Sequence, residues 1–344
     1  MKYLKVFQTE SDYNAAKDTL IYPTVSHIAD SGENHYASIL DYPIKAVFYD
    51  SSTGRFVKLY PDQITEVNPN YTPIGVEVVP AEHDVYGTGQ AGIMSLAYMN
   101  YTTPDIGSSS YLRMCWGGYK VETSLPNLDA VNYIGDNGNL NNDVVQCTTD
   151  YVYLPSDQFT KVAGLDGHSK YYYNDSKKYA PSPFNADGSR NEAYYTTAYS
   201  TANALSDFDG VGNTAVLTEL ATSQPDWKTA STITNNSGAG YYPAACCCWR
   251  FHTAGTSQGQ WYLPAMGELG YVLIRIKAIN TTINKVKSVY SSVVVAAMRT
   301  IGTYWSSSEG SANLAWELSM GEGFINDVNK ENDYNLYARA FLRV

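Results

Sequence analysis

Hydrophobic and polar residues alternate with a period of two near the end of the chain. In residues 315–320 the odd-numbered Glu317 and Ser319 alternate with apolar residues, which would lie together on one side of an extended chain. These apolar residues are Trp316, Leu318 and Met320. The same period returns in residues 336–344. The pattern predicts two strands, each with one buried face and one face that is free to vary.

A polar run at residues 326–333 separates these two predicted strands. It has no apolar face to bury, so it predicts an exposed loop. The chain also contains 31 Tyr. Tyr, Asn, Ser and Gly are typical of recognition surfaces, because Tyr supplies a large contact area at little cost in side-chain entropy. Residues 302–344 therefore favour a binding surface on a regular apolar frame.

Apolar residues at 45–49 and 55–60 flank a short turn sequence that ends in Gly54, which predicts a β-hairpin. A run rich in Pro and Asn at 68–73 predicts a boundary near residue 70. A strand at 74–80 then opens a larger unit. We therefore predict two domains: a small, mostly β domain at 1–70 and a large domain at 71–344.

Helical spacing is strongest after Pro264, which is predicted to lie in the first turn. Glu268 lies on the polar side of this helix, opposite an apolar stripe. The stripe comprises Leu269, Val272, Leu273, Ile276, Ile279 and Ile283. Two shorter helices are predicted at 215–222 and 243–250. The sequence 207–214 has two carboxylates but lacks the ligand register of an EF-hand, so we interpret it as a turn leading into a helix.

Residues 81–207 are rich in Gly, Asn, Tyr and Ser, and their aromatic content predicts long, ordered insertions. Short aromatic strands are predicted within them at 111–116 and 151–154.

Composition excludes several function classes. With 23 Lys and Arg against 34 Asp and Glu, and no basic stripe, the net charge of -11 argues against nucleic acid as a partner. No apolar stretch is long enough for a signal peptide or a membrane span, so we expect a cytosolic product without membrane insertion. The cysteines are odd in number and lack zinc-like spacing, which predicts reduced, mostly buried thiols. They are Cys115, Cys147, Cys246, Cys247 and Cys248. We predict no metal, no cofactor and no catalytic residue.

Six segments carry a resemblance to a known protein family: 179–191, 207–210, 261–270, 304–309, 315–323 and 337–341. Each segment alone is weak evidence for the family, but their ordered combination is specific. Together they resemble the C-type-lectin-like variable proteins of diversity-generating retroelements, in particular the phage-borne type from gut Bacteroides-like hosts. The resemblance covers about residues 71–344. It implies an α+β, C-type-lectin-like fold, here with large insertions, and a binding face at the end of the chain.

In that family, adenine-directed mutagenesis of template codons diversifies solvent-facing positions and leaves a frame intact. The frame implied here is Trp305, Trp316, Leu318, Met320, Gly323, Ile325 and Arg339. The implied ligand-binding positions are Tyr304, Gly310, Ala312, Asn313, Leu314, Glu317, Ser319, Gly321, Glu322, Phe324, Asn326, Asp327, Val328, Asn332 and Asp333. Randomised adenines in an Asn codon do not give Glu or Lys. Another template codon is therefore needed, or the position is fixed, at Glu317, Glu322, Lys330 and Glu331.

The disulfides and calcium motifs of animal C-type lectins are missing, so we expect binding without obligatory calcium. The triplet Gln224-Pro225-Asp226 matches a sugar-binding motif but lacks its Trp-Asn-Asp companion.

The resemblance implies a receptor-binding or tail-fibre adhesion protein, made in the host cytoplasm and carried on the virion. Its partners would be a host cell-surface glycan or protein and, through residues 1–70, other virion proteins. Homotrimers are common in the family, although nothing in this chain demands one. Three alternatives stay open: a bacterial cell-surface adhesin of the same fold, a formylglycine-generating-like enzyme that uses the cysteine run, and a virion decoration that binds nothing.

Overall fold

The computed structural model describes the backbone of residues 2–7, 23–29 and 36–41, and residues 44–81, 86–125, 207–299, 302–320, 324–331 and 336–344. These ranges form an α+β structure. Its strands are β1 Lys2–Phe7, β2 Pro23–Ala29, β3 Tyr36–Asp41, β4 Ala46–Asp50, β5 Arg55–Leu59, β6 Tyr71–Val79, β7 Gly92–Ser95, β8 Trp261–Tyr262, β9 Thr303–Glu309, β10 Leu314–Ser319, β11 Phe324–Asn329, β12 Leu336–Tyr337 and β13 Phe341–Arg343. Its helices are α1 Gly210–Glu219, α2 Pro243–Arg250 and α3 Met266–Val289, with a 3-10 turn at Pro61–Gln63.

The strands form three sheets within the described residues. The N-terminal sheet is antiparallel, in the order β1-β3-β2. A six-stranded sheet has the order β5-β4-β6-β7-β13-β8, and a four-stranded sheet has the order β11-β10-β9-β12, in which β12 runs parallel to β9. Strand β13 pairs with both β7 and β8, so the end of the chain lies inside the six-stranded sheet.

The predicted hairpin is confirmed, but the predicted domain boundary near residue 70 is not at the edge of a unit. Strand β4 pairs with β5 on one side and with β6 on the other. The turn between β4 and β5 is closed by the Gly54 amide, which donates to the Asp50 carbonyl at 2.8 Å. Consecutive residues of β4, Val47 and Phe48, are buried on opposite faces. A strand that is apolar on both faces needs cover on both, so the hairpin belongs to the larger sheet.

Two apolar cores lie on opposite faces of the six-stranded sheet. The α3 core contains Phe48, Val76, Met94, Leu269, Val272, Ile279, Tyr304, Trp316 and Leu318, among others. The α2 core contains Val47, Ile93, Trp116, Cys246, Cys247, Cys248, Trp261, Trp305 and Ala315, among others. Both cores also include residues of the four-stranded sheet. That sheet is therefore held from two sides, which decides which of its positions can reach a ligand.

The three predicted helices are present, with corrected ends. Helix α1 begins at Gly210, earlier than predicted, because the Asp209 carboxylate accepts from the Gly212 amide at 3.0 Å and caps it. Helix α2 coincides with the predicted 243–250. Helix α3 begins at Met266, so Pro264 precedes the helix instead of lying in its first turn. The prediction that Glu268 lies on the polar face is wrong, because this side chain is fully buried.

The end of the chain differs most from its prediction. The first half of the polar run predicted as an exposed loop, residues 326–329, belongs to strand β11, which forms because β10 supplies a partner along its whole length. The predicted strand 336–344 is two short strands in different sheets, joined through the buried Arg339. The predicted strand 111–116 is irregular, although its Met114 amide donates to the Leu336 carbonyl at 3.0 Å. The segments 151–154 and 179–191, and Cys147, lie outside the described residues.

Candidate ligand-binding surface

Strand β10 carries the predicted alternation, but both of its faces are covered. Trp316 and Leu318 pack in the α3 core, whereas Ala315 packs in the α2 core. Glu317 is paired in register with Trp305 and is only 7% exposed. The predicted frame is confirmed as buried at Trp305, Trp316, Leu318, Met320 and Arg339. The prediction that the second face of β10 is free to vary is wrong at Glu317, and the exposed side chains among the described residues of this region lie at the ends of the strands.

The exposed part of this region is the β9–β10 turn together with the end of β11. We define the tip as residues 310–314 and 327–331. The Gly310 amide donates to the Leu314 carbonyl at 2.9 Å, and the Lys330 amide donates to the Asn313 carbonyl at 2.9 Å. The exposed side chains of the tip are Asn313, Asn329 and Glu331, and the partly exposed ones are Ser311, Ala312, Leu314, Asp327 and Val328. The tip is thus a mainly polar surface on a backbone that is closed by hydrogen bonds.

A buried ion pair lies beneath the tip. The Lys330 ammonium donates to Glu309 Oε1, and the two side chains are 0% and 2% exposed. The Thr123 hydroxyl donates to Glu309 Oε2 at 2.6 Å, and Lys330 Nζ donates to the Val121 carbonyl at 3.0 Å. Burial lowers the pKa of Lys330, while the hydrogen bond and charge of Glu309 oppose this shift. The pair joins the end of β9 to the end of β11 and so fixes the base of the tip.

Residues 114–125 cover the α2-core side of the four-stranded sheet. The Trp305 indole donates to the Met114 carbonyl at 2.8 Å, and the Trp116 indole donates to the Ser306 carbonyl at 2.7 Å. The Lys330 ammonium also lies 4.8 Å from the Trp116 ring centre. Sequence reasoning missed this cover. Its signal was the apolar run ending in Trp116, which we interpreted as a strand.

Tyr304 is the clearest correction among the predicted ligand-binding positions. It is paired in register with Leu318, so it faces the α3 core and is fully buried. Its hydroxyl lies 2.7 Å from the Tyr98 hydroxyl and accepts from the Arg299 amide at 2.9 Å. Burial raises its pKa well above the ordinary value. A side chain held in this way cannot contact a surface ligand.

The other predicted positions fall into four groups. Gly310 and Glu317 are buried and are corrected with Tyr304. A Cβ at Gly310 would lie 3.3 Å from Asp327 Oδ2, so this position is crowded. The structure brings five positions together at the tip: Ala312, Asn313, Leu314, Asp327 and Val328. It describes three by their backbone alone: Ser319, Phe324 and Asn326. Four lie outside the described residues: Gly321, Glu322, Asn332 and Asp333.

The register of β11 divides the positions that its sequence presents as equivalent. Asp327 pairs with Trp316 and Val328 pairs with Ala315, so neighbouring residues point to opposite faces. Val328 accordingly packs against the α2 core with part of its surface. Sequence reasoning treated this stretch as a loop and could not separate the two faces. The tip residues Asn329 and Glu331, which it did not select, are exposed.

The cysteine run in α2 is part of the α2 core. Cys246, Cys247 and Cys248 are each at most 2% exposed, as predicted. Burial is the largest cause of a raised pKa in all three thiols. The nearby Arg250 guanidinium is engaged by the Asp105 carboxylate, with Nη2 to Oδ1 at 2.7 Å. These thiols lack the exposed, electropositive setting that a nucleophilic thiolate needs.

The Gln224 triplet and the acidic residues of the chain were two further candidates for a ligand site. The Gln224 side chain accepts from the Thr234 amide at 2.6 Å and donates to the Thr232 carbonyl at 3.1 Å, so both ends of its amide serve its own loop. In the part of the chain that the structure describes, no group of three or more His, Cys, Asp and Glu could hold a metal ion. A search of the same residues finds no helix with the length and apolar character of a membrane span.

Comparison with known proteins yields one distant neighbour to report. None of the protein-family models matches the chain, and no curated protein matches it. A solved structure of a fimbrial protein from Bacteroides ovatus aligns with 100% of this chain and 63% of its own length, at 13% identity and a TM-score of 0.40. The chain thus spans less than two thirds of that protein. At this level of similarity, neither its fold nor its role transfers to this chain.

Proposed function

We propose that this chain is a ligand-binding protein that recognises a molecule on a bacterial cell surface through the tip. In this proposal it is a receptor-binding protein of a phage particle with a C-type-lectin-like fold. The supporting observation is the contrast within residues 302–331. The tip carries exposed polar side chains. The strands that lead to it are fixed by the buried Lys330–Glu309 pair and by the buried Trp305 and Trp316. A rigid base lowers the ordering cost of binding, so side chains on it can vary without loss of the fold.

Burial and codon reasoning agree at two positions, which supports diversification by a retroelement. Codon reasoning left two options for Glu317 and Lys330, another template codon or a fixed residue, and the burial of both side chains favours a fixed residue. Glu331, which it also set apart, is exposed. Asn313 is exposed, and a template Asn codon at this position could vary without disturbing either core. The proposed variable surface is therefore smaller than the sequence pattern indicates and is centred on the tip.

Cell attachment tests the proposed role of the tip. Fluorescently labelled full-length protein is incubated with a panel of intact gut Bacteroides strains, and bound fluorescence is measured. We expect the double variant Asn313→Ala/Asn329→Ala to lose about tenfold or more in attachment to a strain that binds the native chain, since this corresponds to roughly 1.4 kcal/mol at a recognition surface. Neither side chain makes a hydrogen bond within the described residues, so the melting temperature should stay unchanged.

Asn70→Ala is the matched control, because Asn70 is an exposed Asn next to β6 in the other large sheet. It should attach like the native chain. Unchanged attachment of the double variant would move the ligand-binding surface away from the tip.

Gene context tests the diversification separately. We expect a reverse transcriptase gene nearby and a near-copy of the codons for residues 300–344 that differs only at adenines. A locus without them would remove the retroelement from the proposal. Immunogold labelling of phage particles and of bacterial cells then separates a virion protein from the alternative of a bacterial surface adhesin.

A further inference from the structure

Arg299 packs against two tyrosine rings near strand β12, at the opposite edge of the four-stranded sheet from β11. Its guanidinium carbon is 5.0 Å from the ring centre of Tyr111 and 5.6 Å from that of Tyr337. Its Nη1 donates to the Tyr337 hydroxyl at 2.6 Å. The three side chains form a cluster that the proposed role of the tip does not use.

The cluster is held in place by the tyrosines beneath it. The Arg299 amide donates to the hydroxyls of Tyr98 and Tyr304 at 2.9 Å each. The Tyr98 ring packs edge-on against Tyr111 with a centre-to-centre distance of 4.7 Å. Both the backbone and the guanidinium of Arg299 are therefore positioned before any ligand arrives, which reduces the entropy cost of binding.

Arg299 also has donors to spare. Among the described residues, its Nε and Nη2 have no hydrogen-bond partner, and no carboxylate oxygen lies within the 4.0 Å of an ion pair. Other arginines of this chain are placed differently. Arg250 has the Asp105 carboxylate at 2.7 Å, and Arg343 has carboxylate oxygens of Asp209 and Glu268 at 3.8 and 3.9 Å. The chain has a net charge of -11 and repels most anions. The positioned Arg299 guanidinium, which has no carboxylate partner among the described residues, can therefore attract an anionic group at this one place.

The surface around Arg299 is open. The Arg299 side chain is partly exposed, and 44% of Tyr111 is accessible, which makes it one of the most exposed large apolar side chains among the described residues. A guanidinium fork matches the two oxygens of a carboxylate, and an exposed aromatic ring packs against an apolar ring face. Both features would be used at once by a sugar ring that bears a carboxylate.

We propose that Arg299, Tyr111 and Tyr337 form a second binding site, for an acidic sugar residue of the uronic acid class. Arg299 binds the carboxylate through Nε and Nη2, Tyr337 orients the guanidinium, and Tyr111 packs against the sugar ring. The site stands apart from the tip, so it does not depend on the proposed function of the tip.

The test compares two sugars that differ in charge. Full-length protein is titrated with methyl β-D-glucuronide and with methyl β-D-glucoside, and binding is followed by NMR chemical shifts. We expect the glucuronide to bind saturably, with a Kd on the order of 1 mM, and about tenfold more tightly than the glucoside. Equal affinities, or no saturation by the glucuronide at about 20 mM, overturn the proposal. Glucose 6-sulfate is the third arm, and binding as tight as that of the glucuronide rejects a carboxylate-specific site.

Variants locate the binding on the native protein. Arg299→Gln should weaken glucuronide binding about tenfold and leave glucoside binding unchanged, and Arg299→Lys should recover only part of the loss because it lacks the fork. Arg55→Gln is the control with the same change of charge, at an exposed position of β5. Equal losses in Arg299→Gln and Arg55→Gln contradict the site. If Arg299→Gln does not fold, the comparison of the two sugars on the native chain still decides.

The tip variant Asn313→Ala/Asn329→Ala separates the two proposals. It should bind the glucuronide like the native chain while losing cell attachment. A loss of glucuronide binding in this variant would place the acidic sugar at the tip and overturn the second site.

Discussion

Two buried carboxylates stabilise different parts of this molecule in different ways. Glu309, beneath the tip, is touched directly by the Lys330 ammonium. Glu268, near the start of α3, accepts from the Tyr262 hydroxyl at 2.6 Å and from the Ala265 amide at 2.7 Å, while its nearest cation is 3.9 Å away. Burial raises the pKa of Glu268 to about 7, and the neutral donors and the distant Arg343 only partly oppose this.

The difference shows how a folded chain can place a titrating group away from the tip. The Glu309 pair joins β9 to β11, so the tip rests on a contact between opposite charges. The Glu268 cluster joins α3 to β13 through Arg343, and it holds a carboxylate that titrates near neutral pH. A change of pH between 5 and 8 should therefore act on the α3 end of the molecule.

The largest effect is expected when the Lys330–Glu309 pair is broken. Lys330→Met removes the cation and leaves Glu309 buried without its charge partner. We expect this to cost about 3–5 kcal/mol of unfolding free energy. Urea denaturation followed by circular dichroism measures it. The double variant Lys330→Met/Glu309→Gln should recover most of the loss, because it removes both charges. A cost below about 1 kcal/mol for Lys330→Met would show that the pair does not anchor the tip.

The second expected effect is the pH dependence that Glu268 adds. Its folded-state pKa of about 7 lies above the ordinary value of 4.5, so the folded state binds the proton more tightly. The stabilisation is fully present below about pH 4.5 and is lost as the pH rises through about 7. The loss is on the order of 3 kcal/mol, from about 2.5 pH units at roughly 1.4 kcal/mol each.

Glu268→Gln isolates this contribution, because the variant keeps hydrogen-bonding atoms but cannot titrate. Unfolding free energies of the native chain and of the variant are compared from pH 4.5 to pH 8. The native chain should lose stability relative to the variant across this range. Parallel curves would contradict the raised pKa of Glu268.

The smallest effects are expected when the hydroxyl that donates to each of the two buried carboxylates is removed. Thr123 and Tyr262 each donate to a buried carboxylate at 2.6 Å. Thr123→Val should cost about 2 kcal/mol, since it removes a hydrogen bond to the buried carboxylate that is paired with Lys330. Tyr262→Phe should cost about 1 kcal/mol at pH 5, where Glu268 is protonated, and about 2 kcal/mol at pH 8. Equal costs for Tyr262→Phe at the two pH values would remove the distinction between the sites.

Much of the local structure follows from sequence periodicity. The period of two placed Trp316 and Leu318 on one face of β10, and the structure confirms it. Helical spacing identified α3, and turn residues identified the hairpin whose turn ends at Gly54. These features depend on residues a few positions apart, whose relative directions are set by backbone geometry alone.

The candidate site was predicted less well, because exposure depends on distant segments. Glu317 fits the alternating pattern as an outward position, and the family resemblance implied that Tyr304 is variable, yet both side chains are buried. Asn313 lies in the short turn between β9 and β10 and is exposed, and its role in ligand binding stays a prediction. The sequence 326–329 has no apolar face, but it forms β11 because backbone hydrogen bonding to β10 does not require one.

The sequence by itself determined the α+β class, the alternation of the frame and the polar character of the last strands. Only the tertiary structure decided that both faces of β10 are covered and that Lys330 is buried while its neighbour Glu331 is exposed. It also decided that Arg299 keeps donors without a partner among the described residues. The physical reason is that burying a polar group depends on partners far away in the sequence. Glu309 is buried because Lys330 lies 21 residues later and because Thr123 reaches it from 186 residues earlier.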